Sequence, residues 1–596
     1  MICADTPFVL LDDARPHEAA PARLYQTPSR QLVARNLIEI PALMAGLRKA
    51  QFEGKHAAGY FAYEAGFAFE TGVNLDTATI DAPLAWFGIF DEYTEIDGEV
   101  MPSLLPDPAG AWLSPLTPEI SQSEYAKAFA AVQEYILAGD IYQANLTFRA
   151  LAKYLGNPLA LYAAIRPRAA AGYGGIVWTG QQWHLSFSPE LFFALKEGRV
   201  TARPMKGTAA RMLDPSQDAA AAENLRNDPK QRAENLMIVD LLRNDLSRVS
   251  IPGSVQVPDL FRVETYPTVH QMTSTVTALL AKDLSATDVI EAIFPCGSIT
   301  GAPKIRAMQI IGALEQSPRQ LYCGSIGRID VDGSAAFNVA IRTFRLNETT
   351  KQVSLGLGSG VVADSQMDDE WAECLAKGEF ARMTGSNSYG FDLIETMRFE
   401  PMAGLLRLEL HLERMKESAQ LFGFEFDRHA VRNQLHAVTF HLEAACKVRL
   451  LCAKSGAIAI EVRAVPEPPS AIWMVAAVSL PVAFDDFRLS HKTSNRAFYD
   501  DARKLAGNAD EVVFIGSDGF LTEGSFTAIF AERDGILLTP RLTHGLLPSV
   551  LRRELIEEGR ATEASLRLED LAGGFLLGNS LRGLIPAKLA PKAVAK

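Results

Sequence analysis

The stretch DPKQRAENLMIVDLLRNDLSRV, residues 228–249, reads as a helix with a marked start. Asp228 is a capping residue type, and Pro229 suits the first helical position. This helix carries Glu234. Working outward, RPMKGTAAR (203–211) places Lys206 just ahead of Gly207, and SFSPELFF (186–193) contains Glu190. Downstream come His270 in TVHQMTSTV, the Gly-rich turn GSITGAPK (297–304), AIRTF with Arg342, and GLGSGVVADS (356–365). DDEWAECLAKGEF (368–380) then supplies Glu370, Glu373 and Lys377. Strands and helices alternate through 140–380. One helix is expected from about Ser123 to Gly139, with Tyr125, Phe129, Val132 and Ile136 on one face. A second follows Pro303 with Ile305, Met308, Ile311 and Leu314 on one face, and a third covers about 367–382.

Singly, these residues have ordinary readings. Glu373 and Lys377 are spaced as an i,i+4 surface ion pair. Glu234 reads as a solvated helix residue. GSITGAPK does not fit the GxxxxGK[ST] phosphate loop, so nucleotide binding is not expected. Jointly, they describe a pocket for a polycarboxylate with one metal ion. A few carboxylates suit Mg²⁺, which keeps several waters and shares its ligands with substrate. Gly-rich turns expose backbone N–H groups to anions. An Arg such as Arg342 grips a carboxylate through two parallel hydrogen bonds.

The chain has 596 residues, too many for one core. Its composition, 48% hydrophobic and 22% charged, is that of a globular protein, which excludes wholesale disorder. The net charge of −13 excludes the general basic footprint of a nucleic-acid binder. No run of about 18 apolar residues occurs, so no membrane span is expected. Six scattered cysteines without a CxxC, and an N-terminus unlike a signal peptide, point to a reduced cytoplasmic protein. TGSNSYG breaks the pattern and reads as a linker at 384–390. The expected division is 1–115, 116–383, the linker, and 391–596.

The motifs of residues 5–380 recur together and in order: IYQANLT (141–147), SFSPE, MKGTAAR, the 228–249 helix, GSITGAPK, LYCGSIGRI, NVAIRTF and GSGVVADS. They resemble the chorismate-utilising enzymes: anthranilate synthase component I, isochorismate synthase and aminodeoxychorismate synthase component I. The resemblance implies a chorismate substrate and an anthranilate synthase component I-like α/β sandwich. Relatives that make anthranilate or isochorismate usually carry Ala where Lys206 stands. A lysine there resembles aminodeoxychorismate synthases that use it as a nucleophile at C2 of chorismate before ammonia enters at C4. By the resemblance, Glu234 and Glu373 hold Mg²⁺, with Glu370 a weaker alternative. Glu190 and His270 manage protons at the departing hydroxyl. Thr300, Tyr322, Arg342, Gly358 and Gly360 bind the substrate. No nucleophilic cysteine elbow for glutamine hydrolysis is present. Ammonia is therefore expected from a separate glutamine amidotransferase subunit, or directly from ammonium salts.

After the linker the chain restarts with the strand candidate FDLIETMRFE, then a helix near 409–422 carrying Arg414. HKTSNRAFYD contains Lys492, and DEVVFIGSDGFLTEGSFTAIF reads as a hairpin turning at Ser517-Asp518-Gly519, with Glu523 beyond it. HGLLPSVLRREL (544–555) reads as a helix start, and GNSLRGLIP (578–586) follows. Each is bland alone. Together they resemble the fold-type IV pyridoxal-phosphate enzymes: D-amino-acid and branched-chain aminotransferases and 4-amino-4-deoxychorismate lyase. The resemblance implies an α+β unit that binds pyridoxal 5'-phosphate through Lys492. Glu523 pairs with the pyridine nitrogen. Arg414 and the N–H groups of Leu546 and Leu547 hold the phosphate at a helix start, with Asn579 and Ser580 near the cofactor or substrate. Two departures stand out. Ala528 occupies a position where relatives commonly have Asn, and the usual N-terminal strands are nearly absent, as if shortened or borrowed from the first half.

The expectation is thus an α+β multidomain chain that aminates chorismate and then eliminates pyruvate to give 4-aminobenzoate, a folate precursor. A homodimer through the C-terminal half is a further expectation. The competing readings are an anthranilate or isochorismate synthase joined to an aminotransferase, and a synthase with a non-catalytic C-terminal docking or dimerisation domain.

Overall fold

The computed structural model describes all residues except 1, 3, 18, 71–79, 267–268, 383–389, 468–471 and 592–596. Of the linker expected at 384–390, all but Gly390 lies outside the described residues. The chain forms two compact units. The first comprises Met1–Leu105, Pro115–Tyr154 and Tyr162–Arg382. The second comprises Pro106–Ser114, Leu155–Leu161 and Met383–Lys596.

The first unit is built on two antiparallel sheets. Along one sheet, Gln143–Leu155 and Gln352–Val361 are neighbours, so Gly358 faces Thr147 and Gly360 faces Asn145. The other begins at its edge with Met205–Ala210, followed by Val269–Leu279, Arg199–Arg203 and Leu191–Lys196. Val9, Tyr25 and Val177 of the first sheet share a core with Ala58, Tyr60, Trp86 and Ile326 of the second. Helices cover the second sheet's outer face, burying Leu43, Leu47, Ile238, Leu242 and Ile290 against Phe61, Phe87 and Phe193. This is the α/β sandwich that the motifs implied.

The helix signals act as expected. The Asp228 carboxylate accepts the Gln231 N–H at 2.8 Å, and the helix runs Pro229–Ser247. The helix near Ser123 spans Gln122–Leu137, because Ser121 and Glu124 form a capping box. The helix after Pro303 buries Met308 and Ile311, but Ile305 in its first turn stays 40% exposed and Ile310 is buried instead. The third is shorter than expected, Met367–Ala376, and passes into a short 3-10 turn at Glu379–Ala381.

The second unit holds a four-stranded antiparallel sheet, ordered Gly404–Leu405, Leu393–Glu400, Cys446–Cys452, Ile458–Ala464. The helices Leu408–Phe422 and Arg428–Thr439 pack on it through Leu412, Met415, Val431 and Leu435. A mixed eight-stranded sheet follows, with Trp473–Ser479 parallel to Glu511–Ile515. The hairpin is present: Glu511–Ile515 pairs with Leu521–Gly524, and Gly519 takes the positive φ of 80° that its turn requires.

Two short segments from the first half of the sequence belong to this second unit. Trp112 meets Phe422 edge to face at 5.1 Å, and Trp112 and Leu155 pack on the core of the four-stranded sheet. Asp107 pairs with Arg488 at 2.8 Å. Trp112→Ala is expected to destabilise the second unit by about 2 kcal/mol, measured by urea unfolding of the full chain.

Candidate active sites

In the first unit, a sheet edge and a bare strand meet around one amine. Lys206 lies on the edge strand Met205–Ala210, and its Nζ is 3.4 Å from Glu234 Oε2. The strand is pinned where Asn235 donates to the Lys206 carbonyl at 3.3 Å while accepting from Ser274 at 2.6 Å. A Cβ at Gly360 would lie 2.7 Å from Lys206 Nζ and 2.7 Å from Gln143 Nε2. The glycine thus leaves room for the amine. Gly360→Ala is expected to push the amine aside and lower synthase kcat about 100-fold, with little change in melting temperature.

Glu190 is buried and accepts the Ser298 hydroxyl at 2.8 Å. Burial pushes its carboxyl up to about 7, against the pull of Ser298, the Met205 N–H, Lys206 and Lys377. Glu373 and Lys377 form the expected pair at 2.7 Å, but Lys377 also donates to the Gly358 carbonyl at 3.0 Å. The pair is therefore anchored to the glycine strand. Burial opposes ionisation of Glu373, but the charges of Lys377, Lys206 and Lys230 outweigh it and hold its carboxyl below the usual range. Glu370 instead accepts the Ser365 hydroxyl at 2.7 Å.

The remaining candidates divide. Arg342 takes a positive φ of 49° and lies over the Phe380 ring, 5.8 Å from its centroid. Among the described residues no carboxylate pairs with its guanidinium, and burial lowers its pKa. Such a cation is suited to a substrate carboxylate. The Tyr322 ring lies against Gly356, where a Cβ would come within 2.1 Å. The Thr300 hydroxyl is bound to the Cys296 and Gly297 carbonyls, both at 3.2 Å, so it shapes the turn. His270 bonds Asp218 at 2.9 Å and Thr265 at 3.1 Å, and Asp218 also pairs with Arg211. Among the described residues no hydrogen bond or ion pair joins it to Glu190 or Lys206. Sequence reading missed Gln143. Its amide is buried with both polar atoms unpartnered beside the Lys206 amine. It opens the strand Gln143–Leu155, where Asn145 and Thr147 are polar as well, so nothing in the sequence set it apart.

In the second unit a cavity of about 430 Å³ is lined by eight Lys or Arg side chains against Asp500 and Glu523. Lys492 lies in it, and burial lowers its amine to about 7. Burial raises Glu523 to about 7, while the Tyr499 hydroxyl and the Leu547 N–H bond its carboxyl. Asn579 Oδ1 accepts the N–H groups of Leu581 and Arg582 at 3.1 and 2.9 Å, and so shapes the cavity rim.

Arg414 lines the cavity, where Glu395 binds its guanidinium at 2.8 and 2.6 Å and Nη1 donates to the Pro548 carbonyl at 2.8 Å. His411 links the same Glu395 at 2.6 Å to Ser580 at 2.8 Å. Burial resists ionisation of Glu395, but Arg414 and His411 hold its carboxyl far below the usual range. Leu546 and Leu547 do not stand at a helix start. The helix runs Val550–Glu557 behind Ser549, because Pro548 biases the residue before it away from the helical region.

Among the described residues no three metal-ligating side chains gather, and no helix is long and apolar enough to cross a membrane. Residues 6–383 match the family of chorismate binding enzymes, and residues 392–590 match amino-transferase class IV. Aminodeoxychorismate synthase component 1 of Klebsiella aerogenes is 40% identical over 340 residues, 54% of this chain and 75% of that protein. The same protein of Escherichia coli strain K12 gives the same figures. The crystal structure of anthranilate synthase component I from Streptococcus pneumoniae TIGR4 is 26% identical with a TM-score of 0.51, covering 64% of this chain and 94% of that one. The sandwich built around the Lys206 edge and the match over most of the chain together make this protein a member of the chorismate-binding enzyme family, carrying a class IV aminotransferase domain in its second half.

Proposed function

We propose that the first unit converts chorismate and ammonia to 4-amino-4-deoxychorismate, and that the second releases pyruvate from that product to leave 4-aminobenzoate. The observation that carries this reading is the primary amine of Lys206, lodged against Gly360 with the raised carboxyl of Glu190 in the same site. Lys206 is the nucleophile at C2. As its bond to carbon forms, both ring double bonds shift one position toward C4 and the C4 hydroxyl leaves as water. Glu190, near half-protonated at neutral pH, gives the proton that makes this hydroxyl a leaving group. Ammonia then adds at C4, both double bonds shift back, and the lysine is expelled from C2. A separate glutamine amidotransferase subunit would supply the ammonia. Arg342 would hold a substrate carboxylate.

Glu234 and Glu373 fit a Mg²⁺ ion only as a partial shell. Two carboxylates cannot complete its coordination, so water and a substrate carboxylate would supply the rest. The ion would neutralise that carboxylate. The second cavity suits pyridoxal phosphate: a half-buried lysine, a buried acid, a basic lining, and the buried Thr493 hydroxyl without a partner among the described residues. Bound there, the cofactor supplies an electron sink next to the amine-bearing carbon. Lys492, with an amine near 7, can take the proton from that carbon at neutral pH. The adjacent C–O bond then breaks, enolpyruvate leaves and becomes pyruvate, and the ring becomes aromatic.

The purified chain given chorismate, ammonium and Mg²⁺ is expected to release pyruvate and 4-aminobenzoate in equal amounts. Anthranilate or isochorismate as the product would favour the competing synthase reading. 4-Amino-4-deoxychorismate accumulating without pyruvate would leave the second unit a non-catalytic domain. The pH dependence follows from Glu190. Its raised carboxyl is protonated below about 7 and loses its proton above, so synthase kcat is expected to fall as pH rises through 7. Glu190→Gln should lower kcat about 100-fold and remove that descending limb.

A further inference from the structure

The second cavity contains positive charge that neither Lys492 nor the paired Arg414 accounts for. Arg398, Lys447 and Arg463 stand directly opposite one another across three antiparallel strands. They share a face with Thr396 and Arg449, which line the cavity. Like charges opposite each other on a sheet repel. Arg398 and Arg463 are relieved by Glu400 and Glu461. Lys447, Arg449 and Arg582 line the cavity and have no carboxylate partner among the described residues. The Arg582 guanidinium donates to the Glu467 carbonyl at 3.2 Å. Burial lowers the Lys447 pKa, and Arg449, Arg463 and Arg582 lower it further against the opposing pull of Glu461.

The charges have an order. The Ile394 N–H donates to the Lys492 carbonyl at 2.9 Å, and along the same strand Thr396 pairs with Arg449 and Arg398 with Lys447, so the cations run outward from the reacting lysine. Arg398 also donates to the Leu581 carbonyl at 3.4 Å, which brings Arg582 to the Lys447 end. Residues two apart on a strand are about 7 Å apart, which puts Lys447 one strand repeat beyond Arg449. Cations left without a carboxylate in a cleft, beside a like-charged row, are stabilised when an anion occupies the space between them.

We infer that Lys447 and Arg582 form a carboxylate subsite, remote from Lys492, that selects substrates carrying an acidic group on the far side from the reacting amine. The identity of the substrate rests on the lyase reading above, in which the ring carboxylate lies across the ring from the amine. A small monocarboxylic amino acid reaching Lys492 would leave this subsite empty.

The test uses the full chain loaded with pyridoxal phosphate, as wild type, Lys447→Met, Arg582→Met and Lys447→Arg. Two quantities are measured: KM for 4-amino-4-deoxychorismate from pyruvate release, and calorimetric binding of 4-aminobenzoate, which carries the amine and the opposed carboxylate. Each methionine variant is expected to weaken both by about tenfold or more. KM should change more than kcat, and the visible spectrum of the bound cofactor should not change. Lys447→Arg keeps the charge and should stay within about threefold of wild type. If the wild type releases no pyruvate but both methionine variants lose 4-aminobenzoate binding, the lyase reading fails and the subsite stands. If neither quantity changes in either methionine variant, the subsite is overturned, whatever the lyase activity.

Discussion

Lys206→Ala is expected to abolish formation of 4-amino-4-deoxychorismate, a loss of about 10³-fold or more in synthase kcat. The reason is geometric. The amine proposed as nucleophile lies at the sheet edge, 3.4 Å from Glu234 and packed against the bare backbone of Gly360. Alanine leaves a gap beside Gly360 and the unpartnered amide of Gln143, which small molecules can enter. Any remaining turnover should therefore shift toward a different product. The fold should not suffer, because a partly exposed ion pair contributes about 0–1 kcal/mol. Product chromatography together with a melting curve checks both halves of this expectation. Undiminished 4-amino-4-deoxychorismate from the variant would remove Lys206 from the mechanism.

The second large effect concerns Lys492→Ala. Wild type loaded with pyridoxal phosphate should show the visible absorbance of the lysine-bound cofactor, and the variant should lack it. Pyruvate release from 4-amino-4-deoxychorismate should fall about 10³-fold or more, because the variant loses both the attachment point and the base. The first unit is untouched, so 4-amino-4-deoxychorismate should accumulate from chorismate and ammonium. The fold should tolerate the change. Burial already disfavours the ammonium of Lys492, and alanine removes a group that is costly to bury when charged. A wild type that stays colourless after reconstitution would count against the cofactor assignment.

Much of this was legible along the chain. Asp228-Pro229 announced its helix, and Ser517-Asp518-Gly519 announced its hairpin, because caps and turns are decided by a few adjacent residues. Lys206, Glu190, Lys492 and Glu523 stand in short motifs that mark the two halves. Other readings failed for local reasons that tertiary packing overrode. HGLLPSVLRREL looked like one helix start, but Pro548 keeps the chain extended until Ser549. The pairing of Arg414 with Glu395, from a neighbouring strand, is a contact that only packing shows.

By itself, the sequence determined which elements form, where two families meet in one chain, and which groups are chemically able to react. The tertiary structure decided which of those groups share a site. Gln143, Lys206 and Gly360 come from three distant stretches, and only strand pairing brings them together. Trp112 and Asp107 precede most of the first unit's strands yet belong to the second unit, a placement set by packing. The same holds for the pKa shifts. Glu190 and Glu523 are ordinary carboxylates in the sequence, and both rise to about 7 because the folded chain removes water from around them.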